Sequence, residues 1–518
     1  ITDSEVSYGN FYGYKASGKA TIKAVNQKSV DIGWLRGFNS TDDSKKMDVD
    51  INLSTNISDA TVSIGIRDTG LSYGIGHRSD TEPNEMARNV KLSASGQKTF
   101  KVKDISAVGD VNVNIEGSGL LSTAEFRGSI QGKNIDINLN NLSSASFAYG
   151  IAASGGNLTI KSGTNNYLQS ITFSTSEGLS GKNVDLDFSN VIAPIYFYNV
   201  TAQDSLSFKG YAGDDVSTLR SIIFNSTATD FTANIVNAKG HLNGNTANST
   251  IKTLVLKGGV TNPASIEVAG NNTDFAVMTG GLSKLQTLDL SGYVNASGKT
   301  ITTVAATNID IASIKGSATK DVLSIAYATN TKLKTVDAGA GDDEVTFSGT
   351  TTQTHDITIN LGAGDDTITT AALTANKKFE ISGGAGNDKF KLAASTTTDN
   401  TASKYVTITD ASRGDKIGLS DSVTGFVKTN ANATSGQTDL KDAINAALAS
   451  QGTTTANNIY AVYYGNETYL VRDADASKTL SAGDNLVKLA GLSNYDVLNG
   501  NVITDTDGVT KLLEITNS

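Results

Sequence analysis

Apolar and polar residues alternate one for one along many short stretches of this chain, the period of a strand that buries one face. Gly132-Lys133-Asn134-Ile135-Asp136-Ile137-Asn138-Leu139 is echoed 49 residues later by Gly181-Lys182-Asn183-Val184-Asp185-Leu186-Asp187-Phe188, and more loosely by Met47–Leu53 (MDVDINL). A second pattern reads apolar, polar, Ser or Thr, apolar, any residue, then apolar or small. It occurs at Leu168–Phe173, Leu219–Phe224, Ile251–Leu256, Leu285–Leu290 and Leu333–Ala338, at intervals of 51, 32, 34 and 48 residues. Such recurrence predicts the coils of a β-solenoid with irregular insertions, each burying its apolar row against the next. One stretch, Asp439–Ala449 (DLKDAINAALA), has the helical period instead, with Leu440, Ile444, Ala447 and Leu448 on one face. It has too few basic residues for a membrane-surface helix, so a capping helix is expected. Tyr460–Arg472 (YAVYYGNETYLVR) reads as a hairpin that turns at Gly465-Asn466.

Composition agrees with this picture. Of 518 residues 51 are Gly, against three Pro, one Trp (Trp34) and no Cys. Thr, Ser, Asn and Ala abound while Glu and Lys are sparse, which favours strands and turns over helices. The absence of Cys excludes disulfides and thiolate metal sites. A formal net charge of −10 argues against a nucleic-acid partner, which would need a basic face. No apolar run reaches the roughly 18 residues of a transmembrane helix. No signal peptide precedes the first strands and the chain starts at Ile1, so a fragment or processed product is expected.

Three segments carry candidate chemistry: Gly339-Ala340-Gly341-Asp342-Asp343-Glu344-Val345, Gly362-Ala363-Gly364-Asp365-Asp366-Thr367-Ile368 and Gly384-Ala385-Gly386-Asn387-Asp388-Lys389-Phe390. Each fits G-x-G-x-D-x-U, where U is a large apolar residue, the core of a nonapeptide repeat. The glycines permit positive φ and expose carbonyls, the Asp adds a carboxylate, and U begins an inward-facing strand. Ligands that are all oxygen, on a turn, suit Ca²⁺ rather than a transition metal. Gly339, Gly362 and Gly384 lie 23 and 22 residues apart, so the turns can stack on one edge of a solenoid. Gly213-Asp214-Asp215-Val216 is a lone half-motif and reads as a plain turn.

These loops resemble the calcium-binding β-roll of the RTX family, whose members leave Gram-negative bacteria by type I secretion. Ile408–Leu419, Asp473-Ala474-Asp475 and Ser481–Leu489 are similar to the C-terminal regions of type I substrates, where the export signal lies. The resemblance covers about a third of the chain, residues 335–518. It implies one ion between successive loops, held by Gly339, Gly341 and Asp343 with Leu361, Ala363 and Asp366. A second ion would be held by Gly362, Gly364 and Asp366 with Gly383, Ala385 and Asp388. Gly384 and Gly386 belong to the third loop and would serve an ion at its outer side. Leu361 and Ala338 stand where the family has a first Gly, a position that supplies only a carbonyl. The spacing also departs from the family's coil of two nonapeptides, roughly 18 residues, which implies ions on one edge only. The expected fold class is mainly β: a β-solenoid or parallel β-roll with calcium-binding Gly-Asp loops, few helices and a C-terminal capping region.

The expected organisation is a β-rich repeat region at 1–205, a solenoid at 206–400 with calcium loops at 338–391, and a C-terminal cap with the secretion-type region at 401–518. Catalysis is not expected. The three His (His77, His241 and His355) are isolated, and neither H-E-x-x-H nor G-x-S-x-G occurs. Asp185 and Asp187 alternate on a strand and read as hydrogen-bonding groups at a coil edge. The whole profile resembles bacterial surface-layer proteins exported by type I secretion. That resemblance implies a secreted protein that self-associates at the cell surface into a two-dimensional calcium-dependent lattice. It also implies an anchor to lipopolysaccharide through an N-terminal region, and passage through the type I export machinery. The alternatives are the stalk or C-terminal region of an RTX adhesin and the non-catalytic tail of a secreted RTX hydrolase.

Overall fold

A computed structural model describes residues 5–8, 11–12, 18–32, 35–36, 42–57, 59–64, 86–119, 121–163, 168–173, 178–191, 195–197, 200–210, 217–224, 230–236, 238–243, 252–260, 275–278, 284–295, 302–306, 311–326, 332–348, 356–370, 378–392, 405–419, 422–481, 483–490, 492, 498–508 and 510–517. Trp34, His77, His355 and the half-motif at 213–216 lie outside the described residues. The chain is mainly β, a parallel stacked β-solenoid, and divides into two compact units. The first holds residues 1–249 and 257–269, the second 250–256 and 270–518.

In the first unit each coil contributes a long strand to one parallel sheet. Asp48–Ser54, Val90–Gln97, Val111–Gly117, Ile135–Asn140, Asn157–Ser162, Leu179–Asp187 and Val200–Lys209 stack in chain order. Strict alternation turns one residue in two inward, so Ile51, Leu92, Val113, Ile137, Ile160, Leu186 and Phe208 form one buried column in register. A second parallel sheet runs through Thr99–Val102, Thr123–Phe126, Ser144–Phe147 and Ser170–Phe173. In it the rings of Phe126 and Phe147 stack at 4.5 Å, and those of Phe147 and Phe173 at 5.0 Å. The 49-residue echo spans two coils, because Ile135 pairs with Leu158 and Leu158 with Val184.

The second pattern does not mark a single face. Leu168–Phe173 falls on the second sheet of the first unit, whereas Leu288 and Val336 stack two coils apart in the second unit, through Ile314. Alternation shows that a residue points inward, not which face of the coil it belongs to. Ile251 lies outside the described residues, and only the backbone of Leu219–Phe224 is described.

The second unit has two parallel sheets per coil. One runs Ser313–Lys315, Thr335–Asp337, Ile357–Ala363, Phe379–Ala385 and Val406–Ile408. The other runs Asp321–Ala326, Glu344–Ser348, Thr367–Thr369, Lys389–Lys391 and Lys416–Gly418. The solenoid closes on a cap: Val406–Ile408 pairs with Asn485–Leu489, and Lys416–Gly418 pairs antiparallel with Lys511–Asn517. The helix forms at Leu440–Ala449 as its period predicts, with Asp439 accepting the Asp442 N–H at 2.8 Å as N-cap. Its buried Ile444, Ala447 and Leu448 pack on Tyr460, Val462, Tyr469, Val471, Leu480 and Leu486. The hairpin Asn458–Tyr464/Glu467–Asp473 turns at Gly465 and Asn466, both at positive φ (61° and 63°), as a two-residue type I′ turn requires. Among the described residues no helix is long and apolar enough to cross a membrane.

Candidate metal centre

The Gly-Asp segments turn the chain from the first sheet of the second unit to the other. Gly339, Gly362 and Gly384 adopt φ of 108°, 111° and 91°, and Gly341, Gly364 and Gly386 adopt 124°, 140° and 147°. Stacking demands glycine there as strongly as φ does. A Cβ on Gly362 or Gly384 would sit 1.8 Å from the carbonyl oxygen one coil back, and one on Gly364 2.1 Å from Gly341 O. The turns are tied by backbone bonds: Ala363 N–H to Gly339 O (3.2 Å), Gly341 N–H to Ala363 O (2.7 Å) and Gly364 N–H to Ala385 O (2.8 Å).

Each motif Asp sits at the start of a strand and reaches along the stack. Asp343 N–H donates to Asp366 Oδ1 at 2.7 Å, and Asp366 N–H donates to Asp388 Oδ1 at 3.0 Å. The ladder runs one rung further at each end. Asp321 N–H donates to Asp343 Oδ1 at 2.7 Å, and Asp388 N–H donates to Asp415 Oδ1 at 2.9 Å. Five carboxylates, each no more than 2% exposed, therefore line one column. In its interior the second carboxylate oxygens of Asp343 and Asp366 are buried without a hydrogen-bond partner. At the ends the carboxylates are met by protein donors. Asp321 accepts from Ser317 N–H (2.5 Å) and Ser317 Oγ (3.0 Å), and Asp415 accepts from Ser412 N–H (2.7 Å).

A column of this kind resists ionisation. Burial pushes Asp343 up to about 8, Asp366 to about 6 and Asp388 to about 7. The backbone N–H bonds oppose the rise, and neighbouring carboxylates add to it. Burial likewise raises Asp415. Stacked buried carboxylates with unpartnered oxygens of their own are a donor set for a hard cation. The residues present fit Ca²⁺ on that chemistry.

The structure brings Gly339, Gly341 and Asp343, then Gly362, Gly364 and Asp366, then Gly384, Gly386 and Asp388, to equivalent places on successive turns. Leu361 is fully buried in the coil, on the strand that leads into the second turn. The Ala363 and Ala385 carbonyls each take an inter-turn N–H and keep a second lone pair. A Cβ on Gly383 would lie 2.3 Å from Asp388 Oδ2, so glycine leaves that carboxylate its room.

Sequence reading missed Asp321 and Asp415 because their turns, Gly316-Ser317-Ala318-Thr319-Lys320 and Asp410-Ala411-Ser412-Arg413-Gly414, lack the paired glycines. The signal that finds them is the D-x-U half of the motif. Leu323, Val345, Ile368, Phe390 and Ile417 each follow their Asp by two residues and stack in register.

Elsewhere, Asp185 and Asp187 pair with Lys161 (3.4 Å) and Lys209 (3.6 Å) of adjacent coils. His241 lies on the strand Ala238–Asn243. In the cap, Asp473, Asp475 and Asp484 come within 4.8 Å of one another. There the loop itself supplies donors, from Ser477, Lys478, Ser481 and Ala474. No protein-family model matches this chain, and no curated protein matches it.

Proposed function

We propose that this chain is a non-enzymatic structural protein of the bacterial cell surface, of surface-layer type, whose solenoid is completed by Ca²⁺ in the Gly-Asp turns. The observation that carries the calcium reading is the pair of buried, unpartnered oxygens on Asp343 and Asp366 within a column of stacked carboxylates. One site takes Gly339, Gly341 and Asp343 with Leu361, Ala363 and Asp366. The other takes Gly362, Gly364 and Asp366 with Gly383, Ala385 and Asp388. The bound ion supplies positive charge that lets the column ionise at neutral pH. The turns themselves hold the carbonyls in place through inter-turn hydrogen bonds and exclude side chains at the glycine columns.

Binding of this kind is folding free energy. A ligand present at a hundred times its Kd stabilises the fold by about 2.7 kcal/mol per site. In a chain made where calcium is scarce and delivered where it is plentiful, the Gly-Asp segment would order on arrival. Lattice formation and export rest on the likeness of the loops and tail to RTX-type surface-layer proteins. Electron microscopy of the full chain with Ca²⁺ and with EGTA tests the lattice. Ordered two-dimensional sheets in Ca²⁺ alone are expected. A monomer in both, binding a glycan, would favour the adhesin reading. A melting temperature unmoved by EGTA would remove the calcium switch.

A further inference from the structure

The two units hold their coils together with different polar ladders. In the first, Asn89 Nδ2 donates to Asp48 Oδ1 (2.8 Å) and Asp110 N–H to Asn89 Oδ1 (2.9 Å). Asn134 Nδ2 then donates to Asp110 Oδ1 (2.8 Å), and Asn157 N–H to Asn134 Oδ1 (3.0 Å). Asn183 Nδ2 donates to Asn157 Oδ1 (2.9 Å), and Ser205 Oγ to Asn183 Oδ1 (2.7 Å). An amide both donates and accepts, so a column of amides satisfies itself; a column of carboxylates only accepts. The ladder's two acids need no cation: Asp48 is ion-paired with Arg88, and Asp110 is exposed and accepts from the Asn134 amide. Strand acids of this unit also meet lysines on a neighbouring coil, as Asp50 meets Lys19 and Asp204 meets Lys182. Among the described residues of this unit the buried unpaired oxygens, on Asp31 and Gln97, lie outside the ladder.

In the second unit the carboxylate ladder has ends. Ser317 supplies the donors at Asp321 and Ser412 at Asp415, whereas the unpartnered oxygens belong to the interior rungs Asp343 and Asp366. We infer that, among the described residues, the cation requirement is confined to the turns between Asp321 and Asp415, and that the coils tied by the ladder from Asp48 to Ser205 stack without a cation. This rests on the calcium reading above and restricts it to one segment, whose ends are set by serine donors. Those coils are then ordered without calcium, and the metal-dependent step is local.

Hydrogen exchange on the full chain, in Ca²⁺ and in EGTA, reads this directly. Peptides covering Val90–Gln97 through Leu179–Asp187 are expected to exchange at the same rate in both media. Peptides covering Glu344–Ser348, Ile357–Ala363 and Phe379–Ala385 are expected to lose protection in EGTA by at least about 100-fold, the factor for one site with its ligand at a hundred times Kd. Asp366→Asn should show the same exchange in Ca²⁺ and in EGTA in the second unit while the first stays protected, which also shows that the variant folds. Asn157→Ala should speed exchange in the first unit equally in both media. Loss of protection in both units on EGTA treatment would overturn the confinement. Unchanged protection in both would overturn the calcium reading itself.

Discussion

Replacing Asp366 by Asn should move stability in opposite directions with and without calcium. The amide keeps the shape of the carboxylate and the acceptor that Asp343 N–H uses at 2.7 Å, but removes the charge. Without metal, the Asp366 carboxyl is raised from 3.8 to about 6. A carboxyl with a raised folded value imposes no cost below about pH 4. Its cost grows as the pH climbs from there to the folded value, and is then constant. At 1.36 kcal/mol per pH unit the cost at pH 8 is about 3 kcal/mol. Asn removes it, offset by about 1 kcal/mol for an amide N–H left without an acceptor. The net gain of about 2 kcal/mol should raise the metal-free melting temperature of the second unit by about 4–8 °C, given the size of that unit. In saturating Ca²⁺ the same change removes a ligand common to two ions; the loss of about 2.7 kcal/mol per site, set against the metal-free gain of about 2 kcal/mol, should leave it about 3 kcal/mol less stable than wild type. Calorimetric melts of wild type and variant at pH 8 with EGTA or Ca²⁺, repeated in EGTA at pH 5, measure both effects. The metal-free advantage should shrink at pH 5, where the wild-type carboxyl is largely protonated. A variant less stable than wild type in EGTA at pH 8 would refute the electrostatic argument, and one equally stable in Ca²⁺ would refute the shared ligand.

Three further outcomes are expected. Among alanine variants in Ca²⁺, Asp366→Ala should lower the melting temperature more than Asp343→Ala or Asp388→Ala, because only Asp366 borders both sites; equal losses would count against two ions. Gly362→Ala places a Cβ 1.8 Å from Gly339 O at a φ of 111°. Strain of that kind should cost more than about 3 kcal/mol in denaturant unfolding, with or without Ca²⁺. Phe147→Ala opens the buried ring stack at 4.5 Å and 5.0 Å. It should destabilise the first unit by about 3–5 kcal/mol, with no change in the calcium dependence of the second.

The period-2 alternation made the strand class legible, and the helix and hairpin of the cap were legible down to their turn residues. The reasons are local: Asp439 is a capping side chain, and Gly465-Asn466 tolerates positive φ at both positions. Which strands neighbour one another was less legible, since Ile135 and Val184 look like partners in sequence yet sit two coils apart, with Leu158 between. The intervening strand (NLTIKS) keeps the alternation but not the letters, and alternation is all that register requires. The candidate site was half legible. Paired glycines marked the three turns in which backbone crowding forbids a Cβ. Asp321 and Asp415 stayed hidden, because a turn closed by a serine needs no such glycine pair.

The glycine and aspartate columns answer to different constraints, and only one of them is explained by stacking. Coils that approach within about 5 Å must shed the Cβ wherever a carbonyl lies opposite, so the glycines follow from geometry alone. The N–H bonds that bind rung to rung do not require a carboxylate. Asparagine forms comparable bonds in the same chain: the Asn89 and Asn134 amides each accept a backbone N–H from the next coil, and Asn157 accepts the Asn183 side-chain amide. Carboxylates in that role leave unpartnered buried oxygens on Asp343 and Asp366 and like charges on adjacent turns. In a metal-free solenoid, asparagine at Asp343, Asp366 and Asp388 would therefore be the more stable choice. The proposed cation accounts for five aspartates in register where amides would satisfy the same inter-coil bonds.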